Sequence, residues 1–401
     1  MRKFVLTVLF GAALAALLAI SAFAQPPVKK FFPADSKSKL YSSGILVGKT
    51  YFVAGSGSAL PGGGQPETFP DQVRQCLRNI EHTLQYNNLG LQNVVKLWVM
   101  LDDLNNYQAM NDVFREMFPS APPARTTLGI NTIPQGNHIE ITAIAYTDLS
   151  ERRIIGAPVP NMPFSRGVQA GNTLYFSVNS MLPAGEIPAN FEKQVRQCLK
   201  NAGNMLREAG MDYRNVVWSG VYLDNYDNLK AFNKIYGESF KKGTEPARAN
   251  VIVNSLPGGV HVEMTCIATT DLQSRKMVKD AGLKPGPKEL YDAASPAVWA
   301  GDMLYLSAQY GGKGTLEEQT DQVMKSHEDI LKKAGLGTKD IVSANVFLRD
   351  IKDYDALNKV YPNYFTQGRP GVRTCFMPFG AGEPNETLVR MYFFAARTAT
   401  E

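Results

Sequence analysis

From residue 30 onward the chain carries nearly the same sequence three times. Tyr51-Phe52-Val53-Ala54 returns as Tyr175-Phe176-Ser177-Val178 and again as Tyr305-Leu306-Ser307-Ala308. Gln72-Val73-Arg74-Gln75-Cys76-Leu77 returns as Gln194-Val195-Arg196-Gln197-Cys198-Leu199 and, shortened, as Gln322-Val323. Pro123-Ala124-Arg125 and His138-Ile139-Glu140 return as Pro246-Ala247-Arg248 and His261-Val262-Glu263, then more loosely as Gly371-Val372-Arg373 and Leu388-Val389-Arg390. The copies are spaced by 122 to 130 residues. Each copy is long enough to bury a core of its own. Three such units in one chain point to a trimer built into a single polypeptide.

Within a copy the hydrophobic period changes in a fixed order. A β-hairpin turning at a Gly is expected over 45–53, 168–177 and 298–307. Val73, Cys76, Leu77, Ile80 and Leu84 then fall at helical spacing, and a Gly is expected to close the helix at Gly90, Gly210 and Gly335. A β-rich run follows at 94–101, 216–223 and 341–348, then a second helix with Tyr107, Met110, Phe114 and Phe118 on one stripe. Two strands, near 126–133 and 138–147 in the first copy, end the unit. The order is β-β-α-β-α-β-β, an α+β sheet with both helices on one face. The polar, Pro- and Gly-bearing stretches Glu151 to Pro160 and Gln273 to Leu290 read as linkers. The expected units are 39–150, 158–272 and a divergent 285–398.

Residues 1–24 stand apart. Arg2-Lys3, an apolar run from Phe4 to Ile20 and the exit Ala22-Phe23-Ala24 form the pattern of a secretory signal. Export to the periplasm or the exterior follows, with no stable membrane association once the segment is cut. The chain has 42 basic and 37 acidic residues, and two of the basic ones lie in the signal, which leaves +3 on the rest. That balance argues against a nucleic-acid surface. A hydrophobic content of 44% reads as globular. Cys76 and Cys198 occupy equivalent apolar helix faces and are expected to be small core residues, not a disulfide.

Ser307-Ala308-Gln309, Pro246-Ala247-Arg248, Ser255-Leu256-Pro257 and Val262-Glu263-Met264, with the Gln-rich first helix and the Asn of the second, resemble the Rid (YjgF-like) family of reactive enamine/imine deaminases. The resemblance spans about 350 residues as three copies. It implies three tandem chorismate-mutase-like domains forming an intrachain pseudo-trimer, a monomer in solution, with small-molecule pockets where the units meet.

An Arg and a Glu stand fifteen residues apart in two copies, Arg125 with Glu140 and Arg248 with Glu263, on strands consecutive in the chain. An Arg fork holds a planar carboxylate by two parallel hydrogen bonds. A Glu beside it can activate water for addition to a C=N bond and return the proton as ammonia leaves. The resemblance gives these residues those roles: Glu140 and Glu263 catalytic, and Arg125, Arg248 and Arg373 substrate-binding. It adds Asn111, Asn233, Asn358, Tyr41, Ser177 and Ser307 as pocket residues. The other reading of the Arg/Glu recurrence is an ion pair stitching the copies together.

No copy holds the whole set. Val53 replaces the Ser in the first, and Ala294 stands where Tyr41 and Phe164 stand in the other two. Arg390 replaces the Glu in the third, after a two-residue insertion in the loop 380–385. A pocket drawing its base from the third copy would have none. His138 and His261 lie two residues before the Glu residues but lack the further ligands a structural metal site needs. Cys375, on the face of Arg373, is expected to be a buried, inert thiol. The expected activity is cofactor-free hydrolysis of small 2-imino or 2-enamino acids to 2-oxo acids and ammonia. The alternatives are a lapsed enzyme that binds small carboxylates, and an endoribonuclease, which the near-neutral charge disfavours.

Overall fold

The computed structural model describes residues 26–33, 36, 38–159, 161–282, 284–378, 381–382 and 386–399. Residues 1–24, which the sequence reads as a secretory signal, lie outside them. The first repeat runs β1 (Lys29–Phe32), β2 (Gly44–Val47), β3 (Thr50–Ser56), α1 (Phe69–Gln85), β4 (Val94–Leu101), α2 (Tyr107–Met117), β5 (Ala124–Gly129) and β6 (Ile139–Tyr146). The second runs β7 (Arg152–Ile155), β8 (Gly167–Ala170), β9 (Thr173–Asn179), α3 (Phe191–Glu208), β10 (Val216–Leu223), α4 (Leu229–Glu238), β11 (Ala247–Ile252) and β12 (Val262–Thr269). The third runs β13 (Lys276–Val278), β14 (Ala297–Ala300), β15 (Met303–Leu306), β16 (Gln309–Tyr310), α5 (Leu316–Lys333), β17 (Ile341–Leu348), α6 (Tyr354–Val360), β18 (Val372–Phe376) and β19 (Val389–Ala396).

The strand order of the first sheet is β1-β2-β3-β6-β4-β5, and the other two sheets repeat it. The hairpins turn at Gly48, Gly171 and Gly301, whose φ of 57°, 54° and 59° is the left-handed conformation that glycine adopts without strain. Strand β5 returns through α2 to lie parallel to β4, and β6 pairs antiparallel on β4's other side. Arg125 and Glu140 therefore lie on strands consecutive in the chain but separated in the sheet by β4. Two features depart from the sequence expectation. The first helix of repeat one ends at Gln85, and the left-handed residue is Asn88 (φ 54°), whose short amide side chain tolerates that region; Gly90 is extended. The linkers also contribute strands. β7 and β13 fall inside the stretches read as connections and add an edge to each sheet beside β8 and β14.

The helices cover the outer face of each sheet. In repeat one, Val73, Cys76, Leu77, Ile80, Met110 and Phe114 are all buried against Tyr51, Val53, Leu97 and Ile141. The inner faces of the three sheets turn toward one another around a common aromatic centre. Trp218 packs on Tyr392 and Phe394 with ring centroids 4.9 and 5.3 Å apart, and Trp98 Nε1 donates to the Tyr222 hydroxyl at 3.1 Å. Because β4, β10 and β17 are covered on both faces, they read as nearly unbroken apolar runs. All four cysteines are buried and free, as the sequence predicts for Cys76 and Cys198.

Three seams close the ring: β5 against β9, β11 against β15, and β18 against β3. The same device ties each one. Ser165 N donates to the Pro123 carbonyl at 3.0 Å and its hydroxyl to that of Pro122 at 2.6 Å. Ser295 does the same to Pro246 and Glu245, and Ser42 to Gly371 and Pro370. No helix among the described residues is long and apolar enough to cross a membrane.

Candidate active sites at the seams

Arg125 and Arg373 each project from the outer strand of one repeat, and the acid that answers each comes from the next repeat. In seam one-two, Arg125 lies within electrostatic reach of Glu263. In seam three-one, Arg373 lies within reach of Glu140. The sequence leaves open which Arg meets which Glu, and the pairs that come together here are across repeats. The cause is topological, since β4 separates the same-repeat pair while the seam joins the strand carrying Arg to the neighbouring sheet. Neither glutamate hydrogen-bonds an arginine, so an ion pair stitching the copies together is not what these groups form among the described residues.

Aromatic rings set each guanidinium. Arg125 stands over Tyr107, Phe114 and, from the next repeat, Phe164, at 5.6, 4.8 and 4.9 Å. Arg373 stands over Tyr354, Tyr361 and, from repeat one, Tyr41, at 5.4, 5.2 and 5.6 Å. Stacking of this kind holds the fork planar and leaves its edge for a ligand. Arg125 Nη2 donates to Asn111 Oδ1 at 2.6 Å and to the Tyr107 hydroxyl at 3.3 Å. Arg373 Nη2 donates to the Tyr354 hydroxyl at 2.9 Å, while the buried Oδ1 of Asn358 has no partner among the described residues. In both arginines Nη1 is buried without a partner among the described residues.

Burial pushes the Glu140 carboxyl up to about 8, against the pull of Arg373 and a backbone N–H from Cys375. Burial likewise pushes Glu263 up to about 8, against Lys96 and Arg125. Both acids are therefore mostly protonated at neutral pH and can deliver a proton. Gly55 is the close approach in seam three-one, since a β-carbon there would collide with the Glu140 carboxylate. Cys375 is buried beside Arg373 with its thiol pushed up to about 12, which keeps it un-ionised.

Sequence reading did not single out Lys96. Its Nζ is buried and donates to Thr126, Ser177 and Thr265 hydroxyls at 2.7, 2.5 and 2.6 Å, with burial lowering its value to about 7. A lone charge inside the apolar run Val94-Val95-Lys96-Leu97 was the available signal. Tyr107 and Tyr354, at the first turn of their helices, were also missed as partners of the arginine.

Seam two-three differs. Arg248 Nη2 donates to Asn233 Oδ1 at 2.7 Å and to the Asp292 carbonyl, and its backbone N–H donates to the Ser307 hydroxyl at 2.7 Å. Arg390 on β19 stands where the acid stands in the other seams and is fully buried; residues 379–380 and 383–385 of the loop preceding β19 lie outside the described residues. His138 and His261 each turn Nδ1 to an aspartate, Asp102 at 2.7 Å and Asp224 at 2.6 Å, at the exposed ends of the seam strands. A larger surface groove of about 700 Å³ on repeat three, lined by Asp329, Lys332, Thr338 and Tyr364, holds neither a buried acid nor an arginine.

Comparison with known proteins agrees with this architecture. The Endoribonuclease L-PSP family model matches three times, over residues 34–147, 154–270 and 287–378. The third match stops short of β19, the strand on which Arg390 replaces the acid. A 2-iminobutanoate/2-iminopropanoate deaminase of Capra hircus is 36% identical over 107 residues, 26% of this chain and 78% of that protein. A RutC family protein of Synechocystis is 37% identical over 118 residues, 28% of this chain and 89% of that protein. A chorismatase of known structure superposes on 77% of this chain and 95% of its own with a TM-score of 0.55 at 13% identity, a likeness of fold. With three family matches spanning most of its length, the chain belongs to the Endoribonuclease L-PSP family, the family of the Rid-type proteins, as three tandem copies in one polypeptide.

Proposed function

We propose that the chain hydrolyses small 2-imino and 2-enamino acids to 2-oxo acids and ammonia, in seams one-two and three-one, and that it does so after export as a monomer. One observation carries this reading: a stacked guanidinium on one repeat and a glutamate on the next, its carboxyl pushed up by burial, share a buried seam without bonding each other. Two such groups leave an anion site and an acid site for one bound molecule. The arginine takes the carboxylate of the imino acid through its free nitrogen and fixes the C=N bond in one orientation. The glutamic acid protonates the imine nitrogen, and its carboxylate then accepts a proton from the water that adds to C2. Returned to nitrogen, that proton lets the carbinolamine expel ammonia, and the carboxylate takes the hydroxyl proton as the C=O of the 2-oxo acid forms, which regenerates the acid.

The test is ammonia release from 2-iminopropanoate generated in situ, for the mature protein and for Glu140→Gln, Glu263→Gln and the double variant. Each single variant should keep the activity of the other seam, and the double variant should lose about 10²–10⁴-fold. A wild-type rate no faster than spontaneous hydrolysis sinks the proposal and leaves a carboxylate-binding protein in its place.

A further inference from the structure

The third seam has its own occupant. Tyr41 and Phe164 cover Arg373 and Arg125 with a ring, and the equivalent residue in seam two-three is Ala294. Where that ring is missing, the chain just ahead of it folds inward. The single 3₁₀ turn over Lys288–Tyr291 packs against α4, and carbonyls of residues 289–292 accept three side-chain donors of the cleft, with Arg248 Nε and Nη1 left buried without a partner among the described residues. Asn233 Nδ2 donates to the Glu289 carbonyl at 2.7 Å, Asn250 Nδ2 to the Leu290 carbonyl at 2.9 Å, and Arg248 Nη2 to the Asp292 carbonyl. Tyr310, stacked edge-on against Tyr291 with ring centroids 5.4 Å apart, seals the inner side through bonds to the backbone of Asn250 at 3.0 and 3.2 Å. The chain then turns at Ala293 with a φ of 51°, a left-handed conformation that a non-glycine residue keeps only where its surroundings hold it.

We propose that residues 288–292 are a built-in plug: the Asp292 main-chain carbonyl takes the place of a ligand carboxylate on Arg248 while the Glu289 and Leu290 carbonyls occupy Asn233 and Asn250, so seam two-three is a closed joint and the chain binds two small carboxylates, not three. The space left beside Arg248, Leu290, Tyr291, Ala294 and Gln309 is about 20 Å³, room for one water molecule and none for a carboxylic acid. Arg390 in place of the acid fits the same conclusion, because a seam that takes no imino acid needs no proton donor. Arg248 thus serves the fold, while Arg125 and Arg373 serve the ligand. The count of two rests on the function proposed above; the plug does not.

Two measurements on the full chain separate these. Hydrogen exchange read by mass spectrometry across residues 286–296 should show protection in the wild type and exchange about tenfold faster in Arg248→Lys, with no change in Arg125→Lys. The double variant Asn233→Ala/Asn250→Ala, which removes two of the three tethers, gives the same reading if Arg248→Lys folds poorly. Calorimetric titration with 2-oxobutanoate should give two equivalents per chain, one lost in Arg125→Lys, one in Arg373→Lys and none in Arg248→Lys. Three equivalents in the wild type, or a linker that exchanges equally fast with and without Arg248, overturns the plug. No binding of 2-oxobutanoate together with Arg248-dependent protection keeps the plug and sinks the deaminase reading.

Discussion

Glu140 and Glu263 each hold a proton near neutrality because water is excluded from them. Their values of about 8 lie above the ordinary 4.5, so the folded state binds these protons more tightly than the unfolded chain does. The associated stability is complete below about 4.5 and is lost as pH rises through 8. Replacing both with Gln should therefore leave urea stability nearly unchanged at pH 4 and raise it by several kcal/mol at pH 8, where the native chain must ionise both buried acids. Turnover that uses the neutral acid should be flat up to pH 8 and fall about tenfold per unit above it. Lys96 tests the electrostatics of one seam alone. Its charge lowers Glu263 and has no counterpart against Glu140. In a Glu140→Gln background, Lys96→Met should move the descending limb of the pH profile only slightly to higher pH, because Lys96, lowered to about 7 by burial, has already lost most of its charge there, and the same change in a Glu263→Gln background should leave it in place.

At the level of elements, much of each repeat is visible in its sequence because each local signal agrees with the fold. The apolar runs at 94–101, 216–223 and 341–348 coincide with β4, β10 and β17, and the three long helices begin at side-chain caps, Thr68, Asn190 and Thr315. Thr315 forms a full capping box with Glu318. Thr315→Ala should cost about 1 kcal/mol in urea unfolding, and Thr315→Ser should recover most of it. The edge strands β7 and β13 escape a pattern search because Arg152-Arg153-Ile154-Ile155 and Lys276-Met277-Val278 are short and charged, as strands at a sheet margin are. The site is half legible. Arg125, Arg373, Glu140 and Glu263 stand out as chemistry in the chain itself. Which Arg meets which Glu is not legible, because it depends on sheet order and on seams formed by residues more than a hundred positions apart. The plug escapes for a related reason. It is made of carbonyls, and every residue but its position in space is silent about where a carbonyl points.

On the scale of the whole molecule, fusing the copies lets them diverge separately. A trimer of identical subunits has three identical clefts, so a change that ruins one ruins all; here repeat three has lost its acid yet still lends Arg373 to repeat one. This makes a prediction that no single repeat contains. In a Glu263→Gln background the remaining activity belongs to seam three-one, so adding Arg125→Lys should change it little. Adding Arg373→Lys, from a residue 233 positions beyond Glu140 in the chain, should remove it. In a Glu140→Gln background the two arginines should exchange roles: Arg125→Lys abolishes and Arg373→Lys spares. Pairing within a repeat would give the opposite for Arg125, which would then fail alongside Glu263. Ammonia release from 2-iminopropanoate by these four double variants, at matched folded concentration checked by circular dichroism, decides between the two pairings. A chain that light scattering finds at the mass of one polypeptide carries that result as a property of the fused ring; a species three times larger would mean that the seams close between chains.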